Sequence, residues 1–186
     1  KMDVPDRAVQ LNVADVAGKL HPLCKPFVAA AQACGIDYNA DYNGAVQDGV
    51  GHYQLTTHQG QRMSSARAYL KPVLNRPNLT VVCNALVQRI VFANKRAVAV
   101  EYRHKNKNYE VTAHREVILS AGAVNSPQLL QLSGVGPGQV LSDAGVAQVH
   151  ESPAVGQHLQ DHLGHSYFYR ANQPTLNQQL RPWWGK

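Results

Sequence analysis

No segment of this sequence approaches 18 consecutive apolar residues, so no transmembrane helix is predicted. The opening "KMDVPDRAVQ" also lacks the apolar core of a secretory signal. Charge is sparse. Asp, Glu, Lys and Arg make up 16% of the chain against 44% hydrophobic residues, a balance that suits a packed core and not a disordered tail. Cysteine is scarcer still. Cys24, Cys34 and Cys83 form no C-x-x-C pair and leave one thiol over, which argues against a disulfide framework and a zinc knuckle alike. They read as small buried apolar groups in a reducing compartment, so a cytoplasmic protein is expected, with membrane association left open.

Phosphate-cradling loops and common catalytic motifs are missing as well. "GVGPGQ" (134–139) and "GVGHYQ" (49–54) both fail the G-x-G-x-x-G pattern at its sixth position, at Gln139 and Gln54. The first also follows a predicted helix instead of a strand. There is no P-loop and no G-x-S-x-G turn. Ser120, Ser126 and Ser133 fall in a strand, a cap and a helix end with no local base. Basic residues exceed acidic ones by 18 to 12, but the net charge of +6 is scattered. Its one cluster, Arg103, Lys105 and Lys107 in "YRHKNKNY", reads as a solvated hairpin tip. Nothing interleaves basic and aromatic residues, so nucleic acid is not an expected partner.

What is present reads as a mixed α/β chain of 186 residues, long enough for one domain or parts of two. A helix is predicted with Pro22 in its first turn, Phe27, Ala30, Ala31 and Cys34 on its apolar face and Gly35 as its stop. The Gly-, Asn-, Asp- and Tyr-rich stretch from Ile36 to Arg62 is predicted as a long excursion, with short strands around Tyr53 to Thr57. A second helix begins at Ser64 and ends before Pro77. Then the period changes. Residues 79–83, 85–93, 97–102, 109–113 and 116–120 read as four or five strands of a meander, the second alternating around Leu86, Ile90 and Phe92. The last, "EVILS", reads as buried and feeds "GAVNSPQLLQLSGVG". In that run Ser126 is the predicted N-cap, Pro127 the first helical residue and Gly134 the stop. A short helix ending at Gly145 and the strand-like "VAQVH" follow.

His158, His162 and His165, with Asp161 between them, have spacings that would align imidazoles on one helical face. Gly156 and Gly164 flank the segment and no H-E-x-x-H glutamate is present, so polar loop residues are the expected reading and no metal ligand is assigned. The aromatic end, with Tyr167, Phe168, Tyr169, Trp183 and Trp184, invites comparison with a cage for a cation, but apolar packing is the plainer reading. A chain stopping at "WWGK" reads as a piece of something longer.

The run from Gly122 to Gly136 resembles the second signature of the glucose–methanol–choline (GMC) flavoprotein oxidoreductases. Gly122, Ala123, Ser126, Pro127, Leu129, Leu130, Ser133, Gly134, Val135 and Gly136 fit it. "GQRMSSARAYL", "RPNLTVVCNALVQRIVFANKRAVAVEY" and "PAVGQHLQDH" are similar, in order and spacing, to segments around that signature, closest to the choline dehydrogenase-like branch. The resemblance implies part of a Rossmann-like FAD-binding domain over residues 61–163, carrying a β-meander. Pieces of an interleaved substrate domain would lie at 1–60 and 164–186. It implies FAD as cofactor, with the chain around Val87 near the adenine end and Ala121 and Gly122 at a turn against the nucleotide. It also implies an alcohol as the small-molecule substrate of the full-length protein, oxidised to an aldehyde by hydride transfer to flavin; the electron acceptor stays unspecified. The family's pyrophosphate loop lies upstream and its catalytic histidine downstream. No histidine here sits in the matching context, so no catalytic residue is assigned and the isolated segment is expected to be inactive. A flavin-scaffold lyase and a non-catalytic truncated module remain the alternatives.

Overall fold

The computed structural model describes residues 11–178. They divide into two compact units, one of residues 11–80 and 167–178, the other Val81–Ser166.

In the first unit, helix α1 (Cys24–Ala33) starts later than predicted, with Leu23 at its N-cap and Pro22 outside it instead of in its first turn. Pro26 falls in its first turn, where a missing N–H costs no intrahelical bond. Gly35 ends it at φ 85. The predicted apolar face is not buried: no residue of α1 is, and Phe27 is 57% exposed, its ring meeting Tyr169 edge-on at 6.2 Å. The excursion that follows is tied by one side chain. Asn39 Nδ2 donates to the carbonyls of Val46 (2.7 Å) and Asp48 (3.1 Å), while its backbone N–H bonds to Val50. Gly49 sits at φ 131, where an added Cβ would lie 2.7 Å from the Asp37 carbonyl, so only glycine fits that closure. Strands β1 (Thr57–His58) and β2 (Gln61–Arg62) make a minimal hairpin slightly later than predicted. Ser64 opens the second helix as expected, its hydroxyl accepting from Arg67 N–H. The helix is irregular, a π turn over Ala66–Leu70 running into a 3-10 turn at Lys71–Val73 that contains Pro72.

The second unit is built on an antiparallel meander, β3 (Ala85–Ala93), β4 (Arg96–His104) and β5 (Lys107–Thr112), in that spatial order. Both connections are two-residue turns, Asn94–Lys95 and Lys105–Asn106, with positive φ throughout. That geometry matches strand twist, and asparagine tolerates it best among residues with a side chain. The charged "YRHKNKNY" tip is where the sequence puts it. The outer two predicted strands are not formed. Residues 79–83 and 116–120 carry no ladder, Val81 and Val82 are exposed and Ile118 is 77% exposed. Their composition is strand-like, but no neighbouring strand among the described residues offers them hydrogen bonds.

The alternation in β3 also departs from its pattern. Leu86 pairs with Arg103 and Ile90 with Val100, positions three apart on β4 and so on opposite faces. The cause is a bulge at Gln88, between Val87 and Arg89, which flips the parity of the strand. Leu86 is therefore exposed and Ile90 buried.

Helix α2 (Gly122–Leu132) begins four residues before the predicted cap. Gly122 at φ 88 admits the turn directly into helix, and Ser126, already inside, has its hydroxyl turned back to accept the Ala121 N–H at 3.1 Å. Pro127 then leaves the Ala123 carbonyl without its usual donor. Gly134 stops the helix at φ 84. Strand β6 (Val135–Gly136), helix α3 (Gly138–Asp143) and strand β7 (His150–Glu151) complete the unit, β6 and β7 running parallel. Gly145 (φ 68) ends α3 as predicted. Ile90, Ala99, Leu129, Leu141 and Ser133 are buried residues of this unit. The cysteines do not join a core: Cys34 and Cys83 are exposed, Cys24 half-buried, and all three are free thiols.

Candidate cofactor site

Val87, Ala121 and Gly122 all lie in the second unit. The bulge decides the placement of Val87. Its cross-strand partner Tyr102 is two residues from Val100, the partner of Ile90, so Val87 shares the face of the buried Ile90. Tyr102 in turn stacks on Tyr109 at 5.4 Å, extending that row across the sheet. Val87 itself remains 38% exposed. On the opposite face Arg89 holds Glu101 in a forked pair, 2.7 Å from Nε and 2.6 Å from Nη2. The hydrogen bond from Arg89 holds the Glu101 carboxyl below the usual carboxylate range, and the same bond raises the guanidinium.

Ala121 and Gly122 form the entry to α2. A Cβ on Gly122 would meet no atom within 4 Å, and the first turn of α2 contains no acidic residue. The start of this helix is thus an open, uncrowded edge with no acidic side chain in its first turn, which fits a flat or anionic ligand part laid against backbone. Alongside runs a cleft of about 530 Å³, lined by Val124, Pro127 and Gln131 of α2 and by Val155, Gly156 and Leu159 of the following loop. Gln131 holds that loop: its Nε2 donates to the Val155 carbonyl at 3.2 Å, and Gly156 leaves it room. The helix entry and Val87 do not form one cluster. α2 is about 16 Å long, and its contact with β3 is made from the C-terminal end, where the Ser133 hydroxyl accepts the Ile90 N–H.

Two positioning residues, Gln131 and Ser133, are not marked as such by sequence pattern. A Ser-Gly pair ending a helix reads as a stop signal, and nothing local shows that its hydroxyl reaches a strand 43 residues away. The His158–His165 segment is not a helix. His158 has φ 57, no regular element covers 157–170, and no group of three or more His, Cys, Asp or Glu among the described residues could hold a metal ion. Tyr169 packs on Phe27, while Trp183 and Trp184 lie outside the described residues.

The family model for GMC oxidoreductases matches residues 5–164. The chain belongs to the GMC oxidoreductase family.

Among its relatives in that family, an alcohol dehydrogenase [acceptor] of Pseudomonas putida is 48% identical over 168 residues, which are 89% of this chain and 30% of that protein. An oxygen-dependent choline dehydrogenase of Photobacterium profundum is 45% identical over 163 residues, 87% of this chain and 29% of that one. The solved structure of pyridoxine 4-oxidase from Mesorbium loti superposes with a TM-score of 0.72 at 33% identity, over 77% of this chain and 28% of the oxidase. The chain therefore spans about 30% of the length of the curated relatives it matches. Its mixed helix and strand content is part of the Rossmann-like FAD-binding fold of the GMC flavoenzymes. No helix among the described residues is long and apolar enough to cross a membrane.

Proposed function

We propose that this chain is the central part of an FAD-dependent oxidoreductase that acts on the CH–OH group of a small alcohol, in the manner of the choline and alcohol dehydrogenases it is similar to. The observation that carries this reading is the signature helix itself. Gly122 to Gly136, which resembles the family's second signature, builds an open glycine edge beside a cleft of about 530 Å³. FAD, when bound, supplies the hydride acceptor. Ala121 and Gly122 lie against the nucleotide because a side chain at Gly122 would stand in the approach. The backbone around Val87 contacts the adenine end, presented by the bulge at Gln88. Residues 61–163 form the centre of the FAD-binding domain, and 1–60 with 164–186 contribute to the substrate domain. The three free thiols suit a reducing, cytoplasmic setting.

The test uses the full-length flavoprotein that carries this chain. Purified under anaerobic conditions, it is expected to show an oxidised flavin spectrum that choline or a simple primary alcohol bleaches. A flavin that no alcohol in a broad panel bleaches would refute the oxidoreductase reading and leave a flavin-bearing lyase.

A further inference from the structure

We infer that Ser133 is a positioning residue for the cofactor, a hydroxyl bolt that sets the register of β3 against α2. The inference rests on the reading that Val87 and Gly122 flank FAD. Ser133 is only 7% exposed, and both hydrogen-bonding functions of its hydroxyl are used within the protein. It accepts the Ile90 N–H at 2.8 Å and donates to the Leu129 carbonyl at 2.6 Å. The second bond, to a residue four back in the same helix, orients the hydroxyl. The first then reaches across to a backbone amide of another element. A hydroxyl bonded on both sides has one orientation, so strand and helix can meet in one register only.

The position of that amide gives the bond its consequence. Ile90 lies just past the bulge at Gln88, and the bulge is what brings Val87 onto the face of Ile90. A bulged strand has weaker register than a regular one, because the extra residue is unpaired and the ladder is interrupted there. Arg89 and Glu101 hold it from the β4 side, and Ser133 holds it from the other. Ser133 also ends the helix whose first residue is Gly122. One side chain thus links the strand that carries the proposed adenine contact to the helix that carries the proposed nucleotide turn. Without it the Ile90 N–H is left buried with no acceptor, and β3 is free to slide or lift.

Ser133→Ala in the full-length flavoprotein tests this, read by hydrogen exchange and by FAD affinity of the deflavinated protein. Leu141→Ala, in α3, which packs against β6, controls for general loss of stability. In the wild type, FAD is expected to protect the amides of 85–92. In Ser133→Ala, the Ile90 amide should exchange freely, and the FAD dissociation constant should rise at least tenfold. Leu141→Ala, at equal or greater loss of thermal stability, should keep FAD affinity within twofold. Retained affinity in Ser133→Ala, or equal losses in both variants, overturns the positioning role. Absence of FAD-dependent protection over 85–92 in the wild type overturns instead the Val87 contact on which it rests. Should Ser133→Ala not fold, Ser133→Thr decides: a folded hydroxyl-bearing variant must bind FAD within threefold of wild type, and failure to do so refutes the bolt.

Discussion

Gly134 gives the sharpest test of how the signature helix ends. It has φ 84, and an added Cβ would run into the Ala147 carbonyl and come within 2.9 Å of Val149 Cγ2 and 3.1 Å of Val149 N. Its own carbonyl accepts N–H bonds from Val149 (2.8 Å) and His150 (3.1 Å), which start the β6–β7 pairing. Gly134→Ala therefore suffers two effects. The left-handed backbone costs an alanine about 1 kcal/mol. Displacement of residues 147–149 weakens two hydrogen bonds worth about 1 kcal/mol each. Gly145→Ala isolates the first effect, since Gly145 has φ 68 but no atom within 4 Å of an added Cβ. The gap between the two variants should be about 2 kcal/mol, which is roughly a 30-fold difference in opening. Hydrogen exchange at the Val149 and His150 amides in the full-length protein measures it. Equal effects of the two substitutions would refute the steric argument and leave only backbone strain.

Three further outcomes are expected. Glu101 has a lowered carboxyl pKa in the folded state, so its pairing with Arg89 contributes fully above about pH 4.3, the unfolded carboxylate value, and is lost as pH falls through the lowered one. Protection of the β3 and β4 amides, taken relative to the intrinsic exchange rate at each pH, should therefore fall on acidification below that point, and Glu101→Gln should abolish this acid-side dependence; an unchanged profile would count against the pair. The 186 residues alone contain no phosphate-cradling glycine loop, so titration calorimetry should detect no saturable micromolar FAD complex, and finding one would overturn that reasoning. Ile118→Asp should leave the structure of the isolated segment unchanged, because Ile118 is exposed there, yet reduce the thermal stability of the full-length protein. A neutral effect in both would show that residues 116–120 never join a sheet.

The elements that the sequence made legible share one property: their information is local. The β3–β4 and β4–β5 hairpins follow from asparagine in each two-residue turn, Asn94 and Asn106, between strand-forming runs. The stops of α1, α2 and α3 follow from Gly35, Gly134 and Gly145, because only a residue tolerant of positive φ ends a helix in this way. The family signature was legible for the same reason, being contiguous. The family membership it implied is matched by the model for residues 5–164.

What the pattern of residues did not reveal depends on partners distant in the chain. Residues 79–83 and 116–120 have the composition of strands, but a strand exists only where a neighbour accepts its hydrogen bonds, and none among the described residues does. The parity of β3 turns on a bulge at Gln88, which places Leu86 outside and Val87 with Ile90; a run of alternating residues has no mark for where a ladder slips. Ser126 reads as a cap, yet Gly122 starts the helix earlier and Ser126 reaches back to Ala121. Ser133 reads as a helix end, and only the packed structure shows it holding Ile90. Turn chemistry, helix stops and the signature were settled by neighbours along the chain. Pairing, face and register were settled by tertiary contacts, because a hydrogen bond needs its acceptor in place before it can specify anything.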